Sequence, residues 1–216
     1  MRRSQPDLRY FTFTALLIVV AEVLFFISRW LFYLFNRTLF NLTFWETIKA
    51  LFAGIRFDLS AILYLNILVI LLLLIPHKKR NSPIYRNIIK WIFISTNSIA
   101  LLSNFADIVY YRFTLKRTTS DIFSFLSVGG DFDKLIPLFL KDFWYIAIIW
   151  ILVVYSLIKI FNFIETKVLI KHDSYNTSSY IIQGLILIVT LGLSIVGMRG
   201  GFQLRPINMI TAGNYA

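Results

Sequence analysis

Two charged residues interrupt the first apolar run of this chain. Glu22 and Arg29 are seven positions apart, about two turns of a helix, so both side chains lie on the same side of it. Charges inside a membrane-spanning helix are costly and by default indicate a functional site. We interpret this pair first as a structural polar contact between helices, and proton or substrate handling is the second interpretation.

A second charged pair, Arg56 and Asp58, stands at the start of the next apolar run, in the sequence GIRFDLS. Asp58 is expected near a helix N-terminus, where the helix dipole favours an anion. Arg56 is expected at the depth of lipid headgroups, where its planar guanidinium matches phosphate oxygens. Capping by the acid and snorkelling by the arginine explain the same pattern without a ligand.

A polar face followed by a basic cluster marks the third apolar run. Spacings of seven, three and four residues predict that the polar residues share one side of a helix. An acid, a phenol and three cations would then meet at the outer surface. That set suits an anionic lipid headgroup or an acidic protein surface, and a positively charged interfacial fringe is the simpler alternative. The polar face is Asn97, Asn104, Asp107 and Tyr111, and the cations are Arg112, Lys116 and Arg117.

Most kinds of catalytic site are missing from the sequence. There is no cysteine, and the only histidines, His77 and His172, lie in basic loops, so a Cys/His zinc site cannot form. Asp131 and Asp133 match an acid-x-acid pattern, but two carboxylates alone do not make a metal-using transferase. No Ser/His/Asp set and no phosphate-binding loop is present. The sequence therefore predicts no catalytic residue, metal or cofactor in this chain.

The positions of these residues depend on long apolar segments. Of the 216 residues, 58% are hydrophobic and only 15% are charged, which indicates an integral membrane protein. The net charge of +11 is spread around apolar runs, which favours contact with lipid headgroups over nucleic-acid binding. We predict an all-α polytopic membrane protein with five transmembrane helices. The predicted spans are about 10–35, 57–75, 88–111, 143–164 and 180–197.

The loops predict an orientation. The short loop 76–90 carries five Lys or Arg and no acid, so we expect it and the N-terminus in the cytoplasm. The C-terminus is then extracytoplasmic. In the outer loops, helical spacing of apolar residues predicts short interfacial helices at 43–54, from Ser120 to Leu126 and over 133–140.

The end of the chain has its own pattern. Gly192 and Gly197 are expected to permit close helix packing in the last span. Beyond it, two glycines let the chain turn out of the helix, and Pro206 prevents the helix from resuming. We therefore divide the chain into a transmembrane domain, 1–198, and the start of a connector, 199–216, which contains Arg199 and Arg205.

Three stretches resemble a known family. They are GIRFDLSAILYLN (54–66), DIVYYRFTLKRTTSDIF (107–123) and RGGFQLRPINMITAGNYA (199–216). Together they resemble the membrane domain of bacterial lipoteichoic-acid-synthase-like proteins, or phosphoglycerol transferases, in the form found in Bacteroidetes. The resemblance implies an inner-membrane protein with five helices, followed by an extracytoplasmic domain of alkaline-phosphatase/sulfatase type. That domain would hold manganese or another divalent metal and a threonine nucleophile, and it lies outside this sequence.

The resemblance leads to one hypothesis and leaves two alternatives. In the first, the chain anchors an envelope phosphotransferase and presents a phospholipid to it, and is inactive alone. Its partners are then the bilayer, anionic phospholipid and its own catalytic domain, with no nucleic acid. The alternatives are a non-enzymatic scaffold and, less favoured because inverted repeats are missing, a small transporter. The resemblance implies membrane-domain roles, and no catalytic role, for eight residues of this chain: Arg56, Asp58, Asp107, Arg112, Lys116, Arg117, Arg199 and Arg205.

Overall fold

Five long helices make up the described part of the protein. The structure, a computed structural model, describes residues 8–115, 141–169 and 177–201, and no strand occurs among them. Two short 3-10 helices, Arg37–Leu39 and Lys78–Asn81, lie in the first two connections. The long helices are α1 (Arg9–Asn36), α2 (Phe44–Leu74), α3 (Pro83–Thr114), α4 (Trp144–Leu169) and α5 (Thr177–Met198).

All five helices are long and apolar enough to cross a membrane, which confirms the predicted fold class and a multi-pass membrane protein. The shortest apolar span, Tyr180–Met198, has 19 residues. At 1.5 Å per residue it is about 28 Å long, close to the thickness of the hydrocarbon core. The spans Arg9–Leu39 and Phe44–Leu74 have 31 residues each and are longer than a bilayer requires.

The start of α2 differs from the prediction. A separate interfacial helix at 43–54 is wrong, because one continuous helix, α2, begins at Phe44 and runs through the predicted span start at 57. Thr43 and Glu46 form a capping box that starts the helix. Gly54 does not break it, since a glycine within a helix lowers stability by only about 1 kcal/mol. The short helices predicted near Ser120 and over 133–140 lie outside the described residues.

The main core lies among α1, α2, α3 and α4. Phe13 on α1 meets the ring of Phe161 on α4 edge-on, with 5.4 Å between the ring centroids. Phe93 on α3 lies 5.9 Å from the same ring. All three side chains are at most 2% exposed, so the aromatic contact joins three helices.

The fifth helix packs mainly along α2. A Cβ on Gly197 would overlap the side chain of Leu63, so this glycine permits close packing as predicted. The same prediction for Gly192 is wrong, because no atom lies within 4 Å of the place where its Cβ would be. Gly192 lies on the side of α5 that does not face α2.

Arginines mark both ends of the bundle. At one end, Arg80 is 1% exposed, stacks on the ring of Tyr10 at 3.6 Å and donates a 2.9 Å hydrogen bond to Gln183. At the other end lie Arg29 and Arg56. We call these the Arg80 end and the Arg29 end. From Tyr10 to Arg29, α1 rises about 28 Å, which matches the hydrocarbon thickness.

Candidate functional site

An ion pair connects α1 and α2 at the Arg29 end. The Nη2 atom of Arg29 donates to Oδ1 of Asp58 at 2.5 Å, and the two side chains are 20% and 13% exposed. The guanidinium lies directly over Gly54, where a Cβ would overlap it. Arg29 therefore makes a polar contact between the two helices, and Gly54 makes room for it.

The expected environment of Asp58 is wrong in one respect. Because α2 begins at Phe44, Asp58 lies almost four turns inside the helix and not at its N-terminus. The helix dipole therefore contributes little, since its effect fades within the first turn. The negative charge of Asp58 is instead balanced by Arg29 on the neighbouring helix, α1.

Glu22 lies on α1 two turns before Arg29. Both of its carboxylate oxygens are buried and have no hydrogen-bond partner among the residues that the structure describes. Glu22 interacts electrostatically with Asp58 and Arg29. One guanidinium is therefore shared by two carboxylates, of which only Asp58 is hydrogen-bonded to it.

Arg56 and Ser60 hold the end of α5. The Nε atom of Arg56 donates to the carbonyl oxygen of Gly200, and the hydroxyl of Ser60 donates to that of Met198. Carbonyls in the last turn of a helix lack partners within the helix, so Ser60 caps α5 from the side of α2, while Arg56 holds the turn that follows the helix. The sequence predicted a capping role at this place for the acid; the structure shows it for the arginine.

The chain turns out of α5 where predicted. Gly200 and Gly201 have φ angles of 73° and 132°, a region that favours glycine. A Cβ on Gly201 would also lie 2.9 Å from Nη2 of Arg56. Arg199, the last charged residue described, bonds through its backbone N–H to the carbonyl oxygen of Ile195.

The polar face of α3 points into the bundle. Asn97 exchanges hydrogen bonds of 2.8 and 3.1 Å with Asn66 of α2, and both residues are fully buried. Asn104 donates to Ser28 of α1 at 3.3 Å. Asp107 is only 4% exposed, so its expected place on the outer surface is wrong. The shared face was predicted correctly, but it serves contacts between helices.

Tyr111 and Arg112 complete this face at its far end. The ring of Tyr111 contacts Phe32 edge-on at 5.1 Å and stacks on Phe40 at 5.5 Å. Arg112 is exposed and donates to the carbonyl oxygen of Phe35 near the end of α1. The remaining predicted cations, Lys116, Arg117 and Arg205, lie outside the described residues.

A cavity between α1 and α2 was not predicted from the sequence. Its volume is about 150 Å³, and its lining extends from Arg29 toward the C-terminal end of α1 and the N-terminal end of α2. The aromatic residues that line it read in the sequence as ordinary apolar positions of a span, so only the helix pairing reveals it. Its lining includes Arg29, Phe32, Tyr33, Phe40, Thr47 and Ala50.

Arg80 was also missed as a contact residue, because in the sequence it belongs to a basic cluster that reports only orientation. In the structure it connects three segments: Tyr10 in the first turn of α1, the loop before α3, and Gln183 on α5. Its Nε atom is buried and has no hydrogen-bond partner in the described part of the chain. A fully buried arginine at this position fixes the Arg80 end of α5.

Comparison of the chain with protein-family models, with curated proteins and with solved structures finds no match. The family resemblance therefore stays a prediction. Within residues 8–115, 141–169 and 177–201, no three His, Cys, Asp or Glu side chains come close enough to hold a metal ion. The manganese that the resemblance implies was expected in a catalytic domain outside this sequence, so its presence stays a prediction.

Proposed function

We propose that this chain is the membrane anchor and lipid-presenting domain of an envelope phosphotransferase. The enzyme would move phosphoglycerol, or a similar phospho-alcohol group, from a phospholipid to an acceptor. The observation that carries the proposal is the attachment of α5 to α2. Because Arg56 and Ser60 bond to the carbonyls of Gly200 and Met198, the chain after Gly201 starts from a fixed point. A catalytic domain that follows would then be joined to the bundle at a fixed point.

The chemistry in this proposal belongs to the proposed catalytic domain and not to the described residues. A divalent metal, manganese in the proteins that the chain resembles, would activate a threonine there and stabilise charge on the phosphate. The described residues would anchor that domain and hold cationic groups at headgroup depth, where Arg29, Arg56 and Arg112 meet lipid phosphates electrostatically. The 216-residue chain alone is proposed to be inactive.

The proposed location is the bacterial inner membrane, with the Arg80 end in the cytoplasm. Because the chain has no cysteine, single cysteines can report its orientation. A membrane-impermeant maleimide should label Leu42→Cys in intact spheroplasts and should label Lys79→Cys only after lysis. The reverse pattern would invert the proposed topology.

The function is tested in the natural full-length protein. Reading the gene past Ala216 should reveal several hundred further residues with a metal-binding domain; an immediate stop codon would favour the scaffold alternative. Purified in maltoside with manganese, the full protein should convert phosphatidylglycerol or another glycerophospholipid to diacylglycerol. The double variant Arg56→Gln/Ser60→Ala should lower that rate, while Arg86→Gln at the opposite end should not. No release of diacylglycerol by well-folded full-length protein from any phospholipid would refute the proposal.

The basic cluster after α3 has a separate test in the same assay. Alanine substitution of Arg112, Lys116 and Arg117 should lower phospholipid turnover, since these cations are proposed to guide the headgroup. Unchanged turnover at normal expression would remove them from the lipid-presenting role and leave the anchor role intact.

A further inference from the structure

The walls of the cavity at the Arg29 end are aromatic. Tyr33 stacks on Phe40 at 6.2 Å, and Phe32 lies 6.1 Å from the same ring, so the three rings support one another. The lining also contains two hydroxyls, which are hydrogen-bonded to each other, with 3.0 Å between Thr47 and Tyr33. Apart from Arg29 and these two hydroxyls, the lining is aliphatic and aromatic. The lining contains no acid.

Arg29 supplies the only charge in the lining. A guanidinium has five N–H donors, and the structure gives this one a single hydrogen bond, from Nη2 to Asp58. The side chain is 20% exposed, so the remaining donors are accessible to a ligand. An anionic oxygen can therefore bind Arg29 while the ion pair with Asp58 stays in place.

The depth of the site determines how a lipid would lie in it. The last carbonyls of α5 bond to Arg56 and Ser60, so this level of α2 marks the end of a span about 28 Å long. Arg29, paired with Asp58 at that level, is thus at the depth of lipid phosphates. The cavity lies farther from the hydrocarbon core, at the depth of the group that a phospholipid carries beyond its phosphate.

We propose that the cavity binds the headgroup of a zwitterionic phospholipid, with the phosphate on Arg29 and the ammonium group against the rings of Phe32, Tyr33 and Phe40. Ring faces attract an ammonium group, and aromatic cages for quaternary ammonium rely on this attraction. A neutral glycerol headgroup lacks the positive charge on which this attraction depends. The inference goes beyond the proposed function, because a lipid bound here need not be the donor and a scaffold could hold it equally well.

The test uses the 216-residue chain in maltoside, with short-chain dihexanoyl lipids below their micellar concentration as probes. Titration followed by native mass spectrometry should show phosphatidylcholine or phosphatidylethanolamine binding roughly three- to thirtyfold more tightly than phosphatidylglycerol. Inorganic phosphate should bind much more weakly than either. Equal binding of the three lipids, or equal binding of free phosphate, would overturn the proposal.

Variants separate this site from lipid that merely surrounds the helices. Ala50→Trp fills the cavity and should weaken binding at least tenfold, with Ala50→Leu as a milder version that preserves folding. Ile188→Trp makes a similar change on an exposed face of α5, where the side chain is 67% exposed, and should change nothing. Phe40→Leu should reduce the preference for ammonium headgroups over glycerol. If Ala50→Trp and Ala50→Leu bind as the wild type does, the lipid is annular and the site is refuted.

Binding to the isolated chain does not depend on turnover by a longer protein. Loss of binding with normal turnover, or normal binding without turnover, would therefore tell which of the two proposals has failed.

Discussion

The sharing of Arg29 by two carboxylates predicts an order of mutational effects. Removing one partner of a buried ion pair typically destabilises a protein by about 3–5 kcal/mol, because the other charge is left uncompensated. Arg29→Gln removes the guanidinium that Asp58 and Glu22 share, so its cost should be the largest of the three variants, about 3–5 kcal/mol. Asp58→Asn leaves Arg29 near Glu22 and should cost about 2–3 kcal/mol. Glu22→Gln should be nearly neutral, since its carboxylate makes no hydrogen bond.

The geometry sets the size of the coupling. Two unit charges 4 Å apart attract by about 4 kcal/mol at an effective dielectric constant of about 20. The Arg29–Asp58 pair is closer, at 2.5 Å, and mostly buried. Part of the attraction offsets desolvation, so we expect a coupling free energy of about 2 kcal/mol in a double-mutant cycle. Glu22→Gln should also recover about 1 kcal/mol of the loss caused by Arg29→Gln.

The assay is reversible unfolding in mixed micelles or bicelles, followed by helical circular dichroism or steric trapping. A matched control is the pair Arg86–Glu165, at 3.5 Å with side chains 25% and 22% exposed. Being looser and more exposed, it should show a coupling below about 1 kcal/mol. Additive effects of Arg29→Gln and Asp58→Asn, or a larger coupling in the control pair, would refute the reasoning.

Three further predictions use the same stability assay. Gly54→Ala should lower the free energy of unfolding by about 1–3 kcal/mol, because the new methyl group displaces the guanidinium that lies over it. Gly184→Ala is the control: no atom lies within 4 Å of its Cβ position, so it should be neutral or stabilise by up to about 1 kcal/mol. Equal effects of the two substitutions would contradict this prediction. Asn66→Leu should lower the free energy of unfolding by about 1–2 kcal/mol, because Asn97 loses its hydrogen-bond partner on α2, and adding Asn97→Leu should recover part of that loss. A double variant whose loss equals the sum of the two single losses would argue against the mutual hydrogen bond. Arg80→Met should loosen α5 at the Arg80 end, so proteolysis or hydrogen exchange should increase there more than elsewhere. An equal change along the whole chain would count against the role of Arg80 in fixing that end of α5.

The helices were predictable because their signals are local. Long apolar runs fix five spans, and Pro83 at the first turn of α3 marks a start that needs no tertiary information. The true start of α2 was also visible, since Thr43 and Glu46 have the spacing of a capping box. The prediction placed a boundary at Gly54 instead, because it treated the length of a bilayer as the length of the helix.

The partners of the polar residues were not predictable in the same way. Seven-residue spacing puts Glu22 and Arg29 on one side of α1, but it does not say which helix faces that side. Asp58 becomes a partner only through the packing of α2 against α1. The cavity has the same origin, since its walls come from residues 29–42 and 47–51, which meet only after the two helices pair.

The attachment of α5 along one neighbour has a consequence for the order of assembly in the cell. The ribosome completes α1 to α4 before the last helix exists, and the main core, which joins these four, does not require it. Until α5 arrives, the side of α2 with Arg56, Ser60 and Leu63 must face lipid or the insertion machinery. A nascent chain that stops before Thr177 is therefore expected to form a four-helix bundle with one unfinished flank. Whatever follows Gly201 would then emerge only after that flank has been closed.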